Sequence, residues 1–380
     1  MAAVQRVLIV GAGIAGPTLA IALARIGVEV ELAEVQGEWK PVGVGLTLMG
    51  PALRAIRSVG LIDQAVASGA PLYRFAVGNE RTEVTSVQEL PRLNGPDYPS
   101  MVQISRPAFH SILASAVRAA EVPVLLGLTV TRCKPSERGV EVTFSDGAER
   151  HYDLVVGADG VHSGVRALTF PELSGPRPTG QAVWRAMVDR PAQLSSAFQD
   201  GTMYMFYGPS NKAGVIPTSG GQLYIFLVQN IAETTRPAPE HLPELLRQQL
   251  AGYSGFLAVL REQVTDPAQI VWRSLEVLLV PPPWHRARTI LIGDAAHTTT
   301  PHLASGAGIA IEDGLVLADE LAQAESLDLA LERFMARRYE RCRMVVENSA
   351  QLGDWERRPE PGADPVGLTS RSWAELAAPA

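Results

Sequence analysis

Apolar residues in this chain gather into short continuous runs near its start and in its last third, and into alternating patterns in between. Residues 6–10 (RVLIV) form a β-branched run, the pattern of a strand buried on both faces. GAGIAG follows at once, and from Ile14 to Ile26 apolar and small residues recur at helical spacing until Gly27 closes the helix. Residues 28–33 (VEVELA) predict a second strand ending at Glu34. Together these segments make one strand, helix, strand unit.

Further along, the spacing predicts a helix over 51–59, strand-like alternation over 72–87 broken at Gly78 and Asn79, and a proline-rich loop over 91–99. Residues 107–120 read as a helix with proline in its first turn. Residues 128–144 read as two strands joined around Pro135 to Gly139, and 152–156 (YDLVV) as a buried strand ending at Gly157. From Gln181 to Gln229 aromatic-rich strands alternate with Gly, Pro, Ser and Asn, which predicts an antiparallel sheet. Short helices are expected over 242–251 and 255–263, then a proline stop at 281–283 and a strand over 289–292 leading into GDAAH. Two long helices follow, 308–324 and 327–352, the second carrying ERFMARRYERCR, whose charges read as a solvated face. The tail holds a short amphipathic piece around Trp373.

A length of 380 residues exceeds what one core usually fills, so two or three units are expected. The net charge of −7 offers no basic excess for a phosphate backbone, which argues against a nucleic-acid partner. Cys133 and Cys342 lie far apart, so no disulfide framework or thiol redox pair is expected and a reducing cytoplasm fits. The opening apolar stretch is too short for a signal peptide, and no run reaches the length of a membrane span.

Gly11, Gly13 and Gly16 make GxGxxG between a strand and a helix, with Ala15 inside the motif. The first glycine permits the tight turn, the second lets a pyrophosphate approach the backbone, and the third lets helix and strand pack closely. Glu34, at the end of the second strand, is placed to accept from ribose hydroxyls. An acid there disfavours a 2′-phosphate but does not separate FAD from NAD. Later, SGAG runs into a helix whose first amides and dipole can hold a developing negative charge, and Gly306 and Gly308 leave room for a flat ring.

Two further motifs, GADGVHSGVR (157–166) and GDAAHTTTPHLASGAGIAIEDG (293–314), each follow a buried strand. With the opening motif they closely resemble the three flavin fingerprints of the group A flavoprotein monooxygenases, the para-hydroxybenzoate hydroxylase family, over the chain from its first strand to about Glu347. The resemblance implies an α/β fold: a Rossmann-like FAD-binding domain with an inserted antiparallel β-sheet substrate domain and C-terminal helices. It implies FAD, NADH or NADPH as transient reductant, molecular oxygen, and hydroxylation of a small aromatic or heteroaromatic substrate through a flavin hydroperoxide. Under it Asp294 binds the ribityl chain, Asp159 lies near the FAD and nicotinamide path, Arg106 opens its helix against FAD, and Gly45 in PVGVGLTL lies beside the flavin. Pro301, Gly306, Ala307 and Gly308 fall in the third fingerprint. The chain departs from many relatives at MGPA (49–52) and at Ala304, Ser305 and Gly308. A homodimer is compatible with the family.

No second GxGxxG unit is present, so the nicotinamide is expected to bind without a domain of its own. His285, His297 and His302 come with no HExxH or carboxylate cluster, so no metal is expected. On the substrate side, Lys212 and Tyr224 match in spacing an arginine and a tyrosine of the FAD-dependent urate hydroxylases; Lys212, lacking the arginine fork, suits a phenolate or single carboxylate. Arg185 is a third candidate, for substrate or for pairing with an acid. The bland alternatives are a solvated hairpin lysine and a core tyrosine. Segments 1–72, 100–180 and 281–325 are assigned to the FAD-binding domain, 73–99 and 181–280 to the substrate domain, and 326–380 to a C-terminal helical region. A flavin reductase or oxidase without productive oxygen transfer, and an inactive flavin-binding interaction protein, stay open.

Overall fold

The computed structural model describes residues 2–40, 43–136, 139–194 and 198–380. The centre of the turn expected at Pro135 to Gly139 lies outside the described residues, as does part of the loop before Gly45.

The opening strand, Arg6–Val10, lies inside a six-stranded sheet ordered 285–286, 289–291, 154–157, 6–10, 29–34, 124–126. It pairs in parallel on both sides, Val7 facing Leu154 and Val30. Val7, Leu8 and Ile9 are fully buried, which explains an unbroken apolar run where a one-faced strand would alternate. The helices Ala15–Arg25 and Gly306–Gln323 pack side by side. A Cβ on Gly314 would stand 2.9 Å from the backbone nitrogen of Leu19, so only glycine lets the two helices approach this closely.

The second sheet has seven strands, ordered 270–277, 177–189, 222–230, 211–217, 202–207, 74–78, 84–89. Its neighbours are antiparallel except for 74–78 beside 202–207. One face packs the helices Leu242–Gln249 and Phe256–Arg261 around Phe206, Leu246 and Leu257. The register sets the other face in three rows running across the strands. The first is Phe75, Met203, Ile216, Tyr224 and Met187; the second Val77, Met205, Gly214, Phe226, Arg185 and Val271; the third Tyr207, Lys212, Val228, Val183 and Arg273. A small sheet of Gly45–Leu48, Met101–Ser105 and Ala70–Leu72 covers the first row, and Leu72 and Met101 share one apolar cluster with Met203, Ile216 and Tyr224.

The charged stretch of the long helix Leu327–Arg357 differs from the solvated face expected of it. Arg338 is fully buried, and Arg341 nearly so. The Arg338 guanidinium donates to Asp313 at 2.8 Å, Glu312 at 2.9 Å and the Ile309 carbonyl at 3.0 Å. Arg341 forks onto both oxygens of Glu312, 2.8 Å each. The cause is the helix 306–323, which buries Glu312 and Asp313 and so requires cations opposite them. Arg341 and Arg54 also hold carbonyls at the end of the last helix, Pro365–Ala377. No helix among the described residues is long and apolar enough to cross a membrane.

Arg338→Ala leaves the buried Asp313 with His297 alone and the buried Glu312 with Arg341 alone, and should cost about 3–5 kcal/mol of unfolding free energy, read by denaturant titration of the cofactor-loaded protein. Arg343→Ala removes exposed pairs with Glu340 and Glu347 and should leave the unfolding midpoint nearly unchanged, because water already screens these charges. Equal losses in the two variants would contradict the contrast drawn here.

Candidate active site

The glycine turn has the shape its motif requires. Gly11 has φ +108°, and a Cβ there would stand 2.4 Å from the Ala158 carbonyl oxygen; one on Gly16 would stand 2.0 Å from that of Gly11. A Cβ on Gly13 would meet nothing within 4 Å, which leaves open space beside the backbone. Glu34 accepts from the amides of Ala12 at 3.0 Å and Gln36 at 2.9 Å, so its carboxylate is held in place with lone pairs to spare. Trp39 Nε1 donates to the Ala12 carbonyl at 2.9 Å, and His110 Nε2 lies 3.2 Å from the same oxygen. Burial lowers the pKa of His110. These residues, with Leu46, Arg106 and Phe109, line a cavity of about 240 Å³. Ala15 is buried at the head of the helix behind it.

The second and third motifs are joined by Arg166, which donates to the carbonyls of Ala295 at 2.9 Å and Val161 at 2.8 Å. Asp159 accepts from the Ser163 hydroxyl and, at 3.0 Å, from the Val165 amide, and so shapes the turn that packs on Gly11. Asp294 heads the short helix Asp294–His297 and is exposed. Its carboxylate accepts no hydrogen bond from the described residues. Burial against surrounding protein pushes its pKa up, opposed by His297 and Arg106.

Behind Asp294, the Asp313 carboxylate accepts from the Gly293 amide at 2.8 Å and lies 2.5 Å from His297 Nε2. Burial works against its charge, yet His297 and Arg338 hold its pKa at about 2. His297, Asp313 and Cys342 have ligand atoms within 4.8 Å of one another. The Arg338 guanidinium already sits among them, 3.4 Å from the Cys342 sulfur, and supplies the positive charge a metal would bring. Beyond this, Pro301 starts a single turn, and the helix 306–323 begins at Gly306, Ala307 and Gly308 with no side-chain cap, so its first amides are free for a ligand. Gly308 differs from the expected role of clearing space for a ring: a Cβ there would stand 3.4 Å from that of Ala52, so this glycine faces helix 50–58. The gap at Gly13, the oriented Glu34, the unpartnered Asp294 and this uncapped helix fit a long dinucleotide carrying phosphates, hydroxyls and an electron-accepting ring.

On the sheet side, Tyr224 is 5% exposed and lies against Gly45, where a Cβ would stand 2.8 Å from its ring. Burial raises its pKa, countered by Arg185 and Arg106. Arg106 begins the helix Arg106–Ala119, packed against Gly43, with Asp294 and Arg185 in its electrostatic surroundings. Arg185 is half-buried and has no carboxylate partner among the described residues. Of the two readings open for it, pairing with an acid is the one the structure does not show.

Lys212 requires correction. It faces Val228 while Tyr224 faces Ile216, so the two side chains lie two rows apart, roughly 13 Å along the strands. Lys212 is 8% exposed and its ammonium is bonded to Glu356, at the end of the long helix. His302 Nε2 lies 3.1 Å from the other Glu356 oxygen. Burial opposes the Glu356 charge, but His302 and Lys212 hold its pKa at about 2. The lysine is neither a solvated hairpin residue nor a partner of Tyr224. Glu356 lies 144 residues from Lys212, and nothing in the local spacing could pair them. Trp373 was also missed as a site neighbour: its indole donates to the Leu303 carbonyl at 3.1 Å and packs edge-on against Phe75 at 6.2 Å.

Comparison with known proteins agrees with this geometry. The FAD binding domain family matches residues 5–349. The chain is 32% identical to the aurachin C monooxygenase/isomerase of Stigmatella aurantiaca over 92% of this chain and 90% of that one. It is 31% identical to the 2-heptyl-3-hydroxy-4(1H)-quinolone synthase of Pseudomonas aeruginosa, again over 92% and 90%. The structure of Klebsiella pneumoniae HpxO complexed with FAD and uric acid superposes with a TM-score of 0.85 at 25% identity, covering 98% of this chain and 92% of that one. With the family matched over most of its length, the chain belongs to the FAD binding domain family and is an FAD-dependent monooxygenase.

Proposed function

We propose that the enzyme uses NADH or NADPH and molecular oxygen to hydroxylate a small aromatic or heteroaromatic compound whose ionisable edge is held by Arg185 and Tyr224. The observation that carries this reading is Arg185, a half-buried cation on the site-facing sheet without a carboxylate partner among the described residues, next to the buried Tyr224. A quinolone is named in one relative and uric acid is held in the matched Klebsiella structure. Both are fused nitrogen-containing rings, which supports the heteroaromatic half of the proposal.

In this reading the segments 1–72, 100–180 and 281–325 hold the cofactor, 73–99 and 181–280 hold the substrate, and 326–380 closes over both. Gly11, Ala15 and Gly16 shape the turn that presents Gly13 and its neighbouring amides to the diphosphate, Glu34 meets the ribose, Asp294 the ribityl hydroxyls, Arg106 and Gly45 the ring's surroundings, and the amides of Gly306, Ala307 and Gly308 its pyrimidine edge. Bound FAD supplies the redox and oxygen chemistry; the protein orients and shields it. Arg185 favours the ionised form of a phenol or enol, which makes the ring electron-rich. The Tyr224 hydroxyl, kept protonated by burial, donates to that oxygen. The small sheet over Tyr224 keeps water from this side.

The test is a screen of phenols, pyridinols and purines for compounds that accelerate flavin bleaching by NADH or NADPH, with products identified by mass. Peroxide release without any hydroxylated product would overturn the proposal. Asp294→Ala should weaken FAD binding about 10- to 100-fold, because a charge-assisted bond worth about 1.5–3 kcal/mol is lost; fluorescence titration of the apoprotein reads it, and unchanged affinity removes the ribityl role. Arg185→Met should raise the half-saturating substrate concentration about 10- to 100-fold at normal FAD content. Lys212→Met should instead lower unfolding stability, by about 3 kcal/mol, by leaving Glu356 short of its cation. If Lys212→Met raises the substrate requirement as much as Arg185→Met does, the separation of the two residues is wrong.

A further inference from the structure

The middle row of the site-facing sheet differs from its neighbours. Met203, Ile216 and Tyr224 in the first row and Lys212, Val228 and Val183 in the third are buried, while Val77, Met205, Phe226 and Arg185 in between are part-exposed. Phe75 and Met187 at the ends of the first row are also part-exposed, and Tyr207 and Arg273 at the ends of the third are exposed, so the row is walled on both sides only at its centre. Arg185 is the only charge in that row, and everything from Phe226 to Val77 is apolar. Phe226 lies over Gly214, where a Cβ would stand 2.1 Å from its ring, so the ring is seated low on the sheet. From Arg185 to Val77 the row crosses four strand spacings, roughly 19 Å. A single ring anchored at Arg185 leaves most of that length uncovered.

We infer that this trough takes an apolar arm carried by the substrate, an alkyl chain or second ring, which runs from the anchored ring over Phe226 and Met205 toward Val77. The inference rests on the substrate reading above, with Arg185 and Tyr224 as the polar end. Phe226 offers a flat face and Met205 an adaptable one. Burying each methylene there should tighten binding about fourfold, from roughly 0.8 kcal/mol apiece. Met205 is then a specificity-determining residue that contacts the arm and leaves the ring alone.

The experiment is calorimetric titration of the oxidised FAD-loaded enzyme with two series, 4-alkylphenols and 2-alkyl-4-quinolinols, from the unsubstituted parent to the heptyl member. In at least one series the native enzyme should gain about fourfold in affinity per methylene over the first few carbons. Met205→Glu should lose that gain and leave the parent's affinity unchanged, and Met205→Leu should keep it. Affinity independent of chain length in both series, or no binding by any member, overturns the trough; this arm needs no variant to fold. A gain of equal size in Met205→Glu also overturns it. Chain-dependent binding without hydroxylated product would uphold the trough and defeat the proposed reaction. Hydroxylation without chain dependence would do the reverse.

Discussion

The Asp313 carboxylate is where the cofactor side of the molecule is held together. One oxygen fixes the Gly293 amide and His297, on either side of Asp294; the other meets Arg338 from the next helix, 25 residues on. A carboxylate buried this deeply cannot stay ionised without a close cation. Arg338 meets that requirement, and its own burial is made tolerable by Asp313 and Glu312 together. The loop position, the helix start at Gly306 and the placement of the C-terminal helices therefore stand or fall as one arrangement.

A similar bond at the far end of the same helix decides what is left for the substrate. Glu356 draws Lys212 and His302 onto itself and closes the third row of the sheet. The cations that remain near Tyr224 are Arg185 and Arg106, and an arginine's planar fork is better suited to a carboxylate or a phenolate with a neighbouring acceptor than a lysine is. The long helix thus fixes the cofactor side through Arg338 and restricts the substrate side through Glu356. Neither pairing can be weakened without changing the cleft between them.

Much of this could be read from residue order, and the parts that could not share a cause. The strand Arg6–Val10, the glycine turn and Glu34 were legible because their chemistry is local: a buried run, a tight turn and an acid at a strand end all fall within one short unit. The antiparallel sheet was legible from alternation and turn residues, but its one parallel neighbour, 74–78 beside 202–207, joins segments far apart in sequence and left no local trace. Lys212 was misplaced for the same reason, since its partner is fixed by tertiary packing. The buried arginines of the long helix were hidden by charge periodicity, which looks alike whether the acids opposite are in water or on another helix. Gly214 did carry a signal: a glycine inside a strand marks a close approach, here by Phe226.

The order of strands in the six-stranded sheet bears on how the chain is made. The first strand finds one neighbour at 29–34 but the other only at 154–157, which itself waits for 289–291. The helix that packs on 15–25 begins at Gly306, and the arginine that neutralises it is residue 338. During synthesis the apolar first unit is therefore exposed until nearly the whole polypeptide has left the ribosome. Such non-local closure is slow and leaves unpaired strand edges open to aggregation. The glycine turn at Gly11 is framed by Ala158 and Asp159, and the loop after Gly157 is tied in turn to Ala295, so the earliest-made turn gets its frame from residues made much later.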